Sequence, residues 1–503
     1  METLAAMATV FAQPQLLLLV AVGTLSGIYV GAIPGLSVTM AVSILISFTF
    51  AWDVLPAISL MIGIYMGGVY GGGRTAILLN IPGAPSAIAT AMDGYPMALR
   101  GEAGSAIGIS TVMSFFGGLV GIAALALAAP VVSDVALSFQ PRDYLLLALL
   151  GLLLVGSLSE GSMLKGVFAG AFGIVIGAVG MDPLTFTERF TFGLPDLRGG
   201  VSFVAVMIGL FGVSEALAQL HHVNKLAIKQ AIGRIMPSWG TVRRHLPLSL
   251  QTSTIGVVIG ALPGTGGDIA ALMAYDHAKR VTKHPEHPFG EGAVEGLIAP
   301  ETANNAAVGG AFVPMMTLGI PGDAITAIMI GALFIHGLNP GPMLMIDRPD
   351  MFWFIVGALL AANVFMLVFG LTGIRIFTKI VEMPRAVLIP LILLLSIVGA
   401  FAVNNSVTEV YWMLGFGVLG YFMKLYSWPL GPIVLGVILS RLLDENWRRA
   451  VITERESIWG LLESTLTSPL SLILLIAVLA TILSQTPVWR KARARLRPRA
   501  RRP

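Results

Sequence analysis

The chain of 503 residues is 56% hydrophobic and only 12% charged, which excludes a water-soluble globular enzyme and a disordered protein. The shortage of charge extends along nearly the whole chain, so the sequence predicts an all-α polytopic membrane protein with on the order of ten to twelve helical crossings. The net charge is +4, but the last fourteen residues, Arg490 to Pro503, carry eight basic residues and no acid. We expect this tail to hold the C-terminus on the cytoplasmic side, beside anionic lipid rather than nucleic acid.

Hydrophobic segments occur in two sets separated by a polar interval. The first set is predicted at 15–33, 36–50, 56–72, 75–92, 104–130, 143–157, 161–180 and 202–220. The interval from Ala216 to Gly267 contains no acid and five cations, Lys225, Lys229, Arg234, Arg243 and Arg244. By the positive-inside rule, this excess of positive charge predicts a cytoplasmic connection. The second set is predicted at 249–264, 266–278, 294–313, 315–336, 351–375, 386–402, 408–424, 428–442 and 466–485.

Two Pro-Gly motifs recur in the same order in both sets. Gly31-Ala-Ile-Pro-Gly-Leu36 matches Gly260-Ala-Leu-Pro-Gly-Thr265 at an offset of 229 residues, and Asn80-Ile-Pro-Gly-Ala84 matches Gly319-Ile-Pro-Gly-Asp323 at an offset of 239. A single Pro-Gly pair is often a kink without function. Paired interruptions in two halves indicate a transporter site near the middle of the bilayer.

The charge pattern predicts that the two halves have opposite orientations. There is no Lys or Arg before Arg74, whereas the second half follows the basic connection. We therefore predict two inverted-topology repeats with broken or re-entrant helices at the Pro-Gly motifs, and alternating access. The predicted organisation is a first transmembrane repeat at 1–220, a basic cytoplasmic connection at 221–248, a second transmembrane repeat at 249–485 and a basic cytoplasmic tail at 486–503.

Residues around the four interruptions are the candidate ligands. A helix that restarts after Pro-Gly directs free N–H groups and the positive end of its dipole toward the break, which suits a carboxylate. Carbonyl and carboxylate oxygens suit a hard cation such as sodium. The predicted substrate-binding residues are Gly35, Ser37, Thr39, Arg74, Asn80, Gly83, Ser86, Gly264, Thr265, Gly266 and Gly322, and the predicted ion-binding residues are Asp268, Asn304, Asn305 and Asp323.

Each of these residues has a simpler interpretation as well. Ser37, Thr39 and Thr265 are also suited to capping the restarting helices. Acids at membrane depth are functional candidates. Asp268 and Asp323 could each be a cation ligand, a proton carrier or a helix cap.

Arg74 either pairs with a substrate carboxylate or extends to the membrane interface. The histidines lack the spacing of a metal site, so we expect no metal beyond a sodium site and no cofactor. A phosphate-binding Gly-x-x-x-x-Gly-Lys-Ser/Thr motif does not occur, so an ion gradient or another subunit must supply the energy.

These motifs together resemble the large membrane subunit of the tripartite tricarboxylate transporters. The resemblance covers roughly residues 10–485 and rests on Gly31-Ala-Ile-Pro-Gly-Leu36, Tyr70-Gly-Gly72, Ile77-Leu-Leu-Asn-Ile-Pro-Gly83, Asp93-Gly-Tyr-Pro96, Gly260-Ala-Leu-Pro-Gly264, Ala299-Pro-Glu-Thr-Ala-Asn-Asn305 and Leu318-Gly-Ile-Pro-Gly322. It implies a secondary transporter of the bacterial inner membrane that works with a small membrane subunit of about four helices and a periplasmic solute-binding protein. Import of a tricarboxylate or a related organic carboxylate, driven by sodium or protons, is what the resemblance implies for function.

Two other functions compete with this interpretation. An intramembrane aspartyl protease would use two carboxylates such as Asp276 and Asp323 to activate water, but Ile320 occupies the first glycine position of the Gly-x-Gly-Asp pattern. A channel could line its pore with the paired interruptions, although channels commonly obtain symmetry by oligomerising. Carboxylate uptake into proteoliposomes distinguishes the three.

Overall fold

The fold is taken from a computed structural model, which describes residues 2–33, 36–158, 163–182, 186–220, 235–373, 385–454 and 457–484. The predicted ligand Gly35, the part of the basic connection at 221–234 and the basic tail lie outside the described residues. The described chain is predominantly α-helical, as predicted from its composition, and divides into two compact units. Unit 1 comprises Met1–Leu137 and Ser202–Lys424, and unit 2 comprises Ser138–Val201 and Leu425–Pro503.

Unit 1 contains helices from both predicted repeats. Its helices are α1 (Glu2–Ala12), α2 (Pro14–Ala32), α3 (Val38–Thr49), α4 (Val54–Leu79), α5 (Ala87–Met97), α6 (Ala103–Ala136), α9 (Phe203–Met207), α10 (Ser214–Gln219), α11 (Trp239–Gly260), α12 (Gly266–Val281), α13 (Val294–Leu318), α14 (Ala324–Ile335), α15 (Pro342–Asp347), α16 (Pro349–Thr372), α17 (Arg385–Asn404) and α18 (Val407–Leu425). A π-helical turn, Ala98–Glu102, joins α5 to α6, and a second, Ile208–Val213, joins α9 to α10.

Unit 2 is held by helix packing and by a network of charges. It contains α7 (Pro141–Leu158), α8 (Met163–Gly177), the antiparallel pair β1 (Gly180–Met181) and β2 (Glu188–Arg189), a 3-10 turn (Pro195–Leu197), α19 (Gly431–Thr453), α20 (Ile458–Thr467) and α21 (Pro469–Ser484). The carboxylate of Asp182 contacts Arg189 at 3.1 Å and Arg448 at 2.6 Å. Asp444 contacts the same two arginines at 2.9 and 3.1 Å, so four charges form a closed ring.

Several helices of the described chain are long and apolar enough to cross a membrane. These are Pro14–Ala32, Val54–Leu79, the continuous helical stretch Ala87–Ala136 and Pro349–Thr372. A bent pair, Ile458–Thr467 and Pro469–Leu483, is a fifth candidate if its two arms form one span. Other predicted apolar segments form shorter helices, including Val38–Thr49 and Ala324–Ile335.

Helix ends near the Pro-Gly motifs follow from local residue chemistry. Ser37 caps α3 by accepting the Met40 N–H at 3.0 Å. Helix α4 ends at Asn80 with φ 55°, and α13 ends at Gly319 with φ 69°, so both stop in the left-handed conformation that glycine and asparagine tolerate best. Asn80 and Gly319 are 239 residues apart and therefore occupy equivalent positions of the sequence repeat.

Glycine allows the helices of unit 1 to approach closely. On α2, a Cβ at Gly23, Gly27 or Gly31 would overlap the backbone of α4. On α11, a Cβ at Gly256 or Gly260 would likewise overlap the backbone of α13. Small residues at such crossings are typical of membrane helix pairs, where contact between backbones replaces the hydrophobic effect.

Candidate functional site

A cavity of about 160 Å³ lies in unit 1 where the N-terminal residues of four helices meet. It is lined by Ser37, Val38 and Thr39 of α3, Tyr65 and Val69 of α4, Gly83, Ala84, Pro85 and Ser86 before and at the start of α5, Gly266, Gly267 and Asp268 of α12, Asn304 and Val308 of α13, and Asp323, Ala324 and Ile325 at the start of α14. Each of the four predicted interruptions therefore contributes to one shared cavity.

The lining is built from equivalent positions of the two sequence halves. The residues at 37, 38 and 39 correspond at an offset of 229 to 266, 267 and 268, and those at 65, 69, 84, 85 and 86 correspond at an offset of 239 to 304, 308, 323, 324 and 325. The remaining lining residue, Gly83, has Gly322 as its equivalent. Residues of both halves thus enclose the cavity in corresponding places.

Gly83 and Gly322 make the same contact in each half. A Cβ on Gly83 would overlap the carbonyl oxygen of Gly31, and a Cβ on Gly322 would approach the carbonyl oxygen of Gly260. Gly31 and Gly260 are themselves equivalent at the offset of 229. Close contact between the two Pro-Gly segments of a half therefore requires glycine at this position.

Asp323 is an acid of the cavity with hydrogen bonds to two helices. Its Oδ1 accepts the backbone N–H of Thr326 at 2.7 Å, and the Thr326 hydroxyl lies 2.9 Å from the Asp323 N–H, which completes a capping box for α14. Its Oδ2 accepts a hydrogen bond from the hydroxyl of Tyr65 on α4. The side chain therefore both caps α14 and joins it to α4.

Asp268 and Asn304 connect the two halves across the cavity. Asp268 Oδ1 accepts the backbone N–H of Ser86, the N-cap residue of α5, at 2.9 Å. Asn304 Nδ2 donates to the backbone carbonyl of Val69 at 3.2 Å. An acid of α12 is thus bound at the start of α5, where the helix dipole favours negative charge.

The cavity contains two carboxylates and no basic side chain among the described residues that line it. The starts of α3, α5, α12 and α14, each of which is at least eleven residues long, direct the positive ends of their helix dipoles toward the cavity. Helix starts are common anion-binding positions in proteins. Asp268 and Asp323 supply oxygen ligands of the kind that a hard cation prefers.

Several predicted ligands lie elsewhere. Arg74 is buried, stacks on the Tyr70 ring at 4.1 Å and donates through Nη2 to Thr111 Oγ1 at 2.7 Å. Asn80 is exposed at the end of α4, and the Thr265 hydroxyl donates at 3.0 Å to the carbonyl of Leu262, two residues after the end of α11. Gly264, Gly322 and Asn305 also do not line the cavity. The substrate or ion roles of these residues remain predictions.

Tyr65 is a cavity residue that the sequence analysis missed. It is 1% exposed, stacks on Phe312 with ring centroids 5.9 Å apart and donates its hydroxyl to Asp323. The repeat contained a signal for it, because Tyr65 is equivalent to the predicted ligand Asn304 at the offset of 239. Extending the alignment of the two halves upstream of the second Pro-Gly motif would have identified it.

Asp276, the other acid of the protease hypothesis, does not line the cavity. It is 57% exposed and forms an ion pair with Arg280 within α12. The structure therefore does not bring Asp276 and Asp323 together in this cavity.

Comparison with known proteins identifies the family. The profile of the Tripartite tricarboxylate transporter TctA family matches residues 17–435. The chain belongs to this family. Its members are the large membrane subunits of tripartite transporters, so the chain is a multi-pass membrane transporter subunit, as the sequence motifs predicted.

Two relatives from Agrobacterium vitis are similar to this chain. The first, named as an uncharacterized 52.8 kDa protein in the TAR-I ttuC' 3'region, is 37% identical over 437 residues, which cover 86% of each chain. The second, named as an uncharacterized protein in the TAR-II ttuC' 3'region, is 34% identical over 239 residues, 47% of this chain and 97% of the relative. No solved structure matches the chain.

Proposed function

We propose that this protein is the large transmembrane subunit of a binding-protein-dependent secondary transporter that imports an organic carboxylate, and that the cavity of unit 1 is its substrate site. The observation that carries the proposal is the meeting of four helix starts around one cavity. Helix starts offer N–H donors and positive potential without the desolvation cost of a buried basic side chain.

Charge balance supports coupling to a cation. A carboxylate substrate beside Asp268 and Asp323 would place like charges within one small cavity. Binding of sodium, or of protons on a nearby carboxylate, removes that repulsion. Substrate and coupling ion would then bind together far more tightly than either alone, which is the thermodynamic basis of symport.

The size of the cavity favours a compact substrate. Its volume of about 160 Å³ is below the roughly 300–1,000 Å³ typical of pockets for drug-sized ligands. A small di- or tricarboxylate suits this volume better than a long-chain acid, because several carboxylate groups on a short carbon chain can each face one helix start.

Alternating access would follow from an inverted repeat. We propose that the halves 1–220 and 249–485 have opposite orientations in the bilayer, with interrupted helices at the Pro-Gly motifs. The equivalent lining positions and the shared contact of Gly83 and Gly322 support the repeat. Two equivalent halves could exchange conformations and so open the same cavity to either side of the membrane.

The proposed partners are a small membrane subunit and a periplasmic binding protein, and the proposed location is the bacterial inner membrane with a cytoplasmic C-terminus. Family membership supports the partners. The eight basic residues of the tail support the orientation.

Reconstitution of the three components in proteoliposomes tests the proposal. We expect saturable accumulation of at least one of labelled acetate, succinate, tartrate and citrate, dependent on the binding protein and on a sodium or proton gradient. Proteolysis without uptake, or passive flux without accumulation, would instead support the protease or the channel.

A matched pair of variants on α12 tests the site. Asp268→Asn should lower the apparent affinity for the coupling ion, measured from the ion dependence of uptake, by about 5- to 150-fold. This is the usual range of coupling between two sites. Asp276→Asn, which removes an exposed acid two turns along the same helix, should leave it unchanged. Equal effects of both variants would remove Asp268 from the ion site.

A further inference from the structure

A second buried polar cluster lies outside the cavity, around Glu301 of α13. Glu301 is 3% exposed, and its carboxylate is surrounded by three hydroxyls from two other helices. The hydroxyl of Thr90 on α5 lies 2.6 Å from Oε1, and those of Ser110 and Ser114 on α6 each lie 2.9 Å from Oε2. Each distance is measured from a hydroxyl oxygen to a carboxylate oxygen and is that of a direct hydrogen bond.

The donors around Glu301 differ in kind from those of Asp93, Asp268 and Asp323. Asp93, Asp268 and Asp323 each accept at least one backbone N–H, a group that can only donate and so requires an acceptor oxygen. Within the described chain, the hydrogen bonds of the Glu301 side chain come from hydroxyls alone. A hydroxyl both donates and accepts, so this cluster can bind the carboxylate and the protonated acid alike.

The cation of this region is Arg74 of α4, whose Nη2 donates at 2.7 Å to Thr111 Oγ1 on α6, next to Ser110 of the cluster. Arg74 is 2% exposed, and its Nε and Nη1 have no hydrogen-bond partner among the described residues. The preceding residue, Gly73, lies directly against the acid, because a Cβ there would be 2.5 Å from Glu301 Oε1. A cation beside the acid makes the ionised form tolerable at membrane depth.

Other titratable groups around α13 have partners of their own. Tyr70 of α4 is hydrogen-bonded to Thr111, and Asp93 of α5 accepts the N–H groups of Gly290, Gly292 and Ala293. His245 of α11 is paired with Glu295, and Asp268 of α12 accepts the N–H of Ser86. Helix α6 contributes hydroxyls to the cluster. Glu301 is thus an acid whose described side-chain partners are all hydroxyls, which suit gain and loss of a proton.

Helix α13 connects the cluster to the cavity. Asn304, which lines the cavity, follows Glu301 by three residues, and Asn305 Nδ2 donates to the Glu301 carbonyl at 3.0 Å. Glu301 therefore lies about one helical turn from the proposed substrate site, and its side chain would not contact the substrate.

We propose that Glu301 is a proton-binding site of the transport cycle, separate from the substrate cavity, and this inference rests on the proposed function. A hydronium ion transfers its proton to a carboxylate oxygen and leaves as water, and the acid O–H then donates to a neighbouring hydroxyl, which turns its own hydrogen away. Apart from exchanged hydrogen bonds, nothing else is broken. Acids within membrane segments commonly mark ion pathways and proton relays.

Infrared difference spectroscopy tests proton binding without any substrate. The full-length protein in lipid is titrated with acid, and the carbonyl band of a protonated carboxyl group is followed. We expect a band in the wild-type protein that is absent from Glu301→Gln and retained in Glu295→Gln, a control on the same helix. Ser114→Ala, which removes one hydroxyl partner, must change the pH at which the band appears. A band unaffected by Glu301→Gln, or no band at any pH, overturns the proposal.

Transport by the whole three-component system tests coupling. With the carboxylate accumulated from the panel above and a pH-sensitive dye inside the vesicles, wild type and Glu295→Gln should move protons with substrate. Glu301→Gln should lose proton-driven accumulation by about tenfold or more while retaining substrate exchange, which shows that it folds.

The outcomes separate the two proposals. Uptake by wild type without proton movement, or unchanged proton movement in Glu301→Gln, refutes the role of Glu301 and leaves the transporter assignment intact. If no carboxylate is accumulated under any gradient, the transporter assignment fails, and with it the coupling role of Glu301, whatever the infrared result.

Discussion

Asp93 is the residue whose replacement should have the largest effect on the start of α13. The side chain is fully buried, and its Oδ1 accepts the backbone N–H groups of Gly290, Gly292 and Ala293, each at 2.8 Å. Hydrogen bonds to a charged group contribute about 1.5–3 kcal/mol each and neutral ones about 0.5–1.5. Asp93→Asn retains an acceptor oxygen but loses the charge, so we expect a loss of about 1 kcal/mol per bond, or about 3 kcal/mol in total.

Thermal unfolding of the purified protein in detergent, followed by tryptophan fluorescence, measures this effect. Asp276→Asn is the matched control, because its exposed ion pair with Arg280 should contribute less than about 1 kcal/mol. The unfolding midpoint of Asp93→Asn should therefore fall clearly below those of wild type and the control. Equal midpoints for the two variants would refute the reasoning from the three N–H groups.

Two further predictions concern packing and pH. Gly83→Ala should destabilise the protein by about 1–3 kcal/mol and reduce uptake, because its Cβ would overlap the Gly31 carbonyl, whereas Gly199→Ala, with open space around it, should do neither. The hydrogen bond with Glu295 raises the pKa of His245, which lies before the predicted apolar segment at 249–264. Its stabilisation should be complete below the ordinary pKa of about 6.5 and disappear as pH rises through the raised value, so the difference in midpoint between wild type and His245→Gln should shrink as the pH rises above about 6.5. A difference independent of pH would contradict this role.

The fold class and the family were predictable because they depend on local or cumulative features of the sequence. A high apolar content along the whole chain requires membrane helices, and proline and glycine mark positions where a helix is interrupted. Ser37, Thr39, Gly83 and Ser86 were selected for their positions beside such interruptions, and all four line the cavity.

The helix face of a residue was harder to predict than its neighbourhood. Arg74 was selected because it is close in sequence to the second Pro-Gly motif, but Tyr65 and Val69 are the α4 residues in the cavity. Five residues of α-helix turn the chain by about 500°, so Arg74 lies some 140° around the helix from Val69. The bond between Tyr65 and Asp323 joins residues 258 positions apart, and no local pattern could indicate it.

Substrate protection of a single cysteine in the cavity tests the central claim most directly. The natural chain contains no cysteine, so Thr39→Cys in the cavity and Thr282→Cys at the end of α12 can each be labelled alone with a charged thiol reagent. If the cavity is the substrate site, the transported carboxylate should slow labelling of Thr39→Cys and leave that of Thr282→Cys unchanged. Labelling of Thr39→Cys at the same rate with and without the carboxylate would contradict the account.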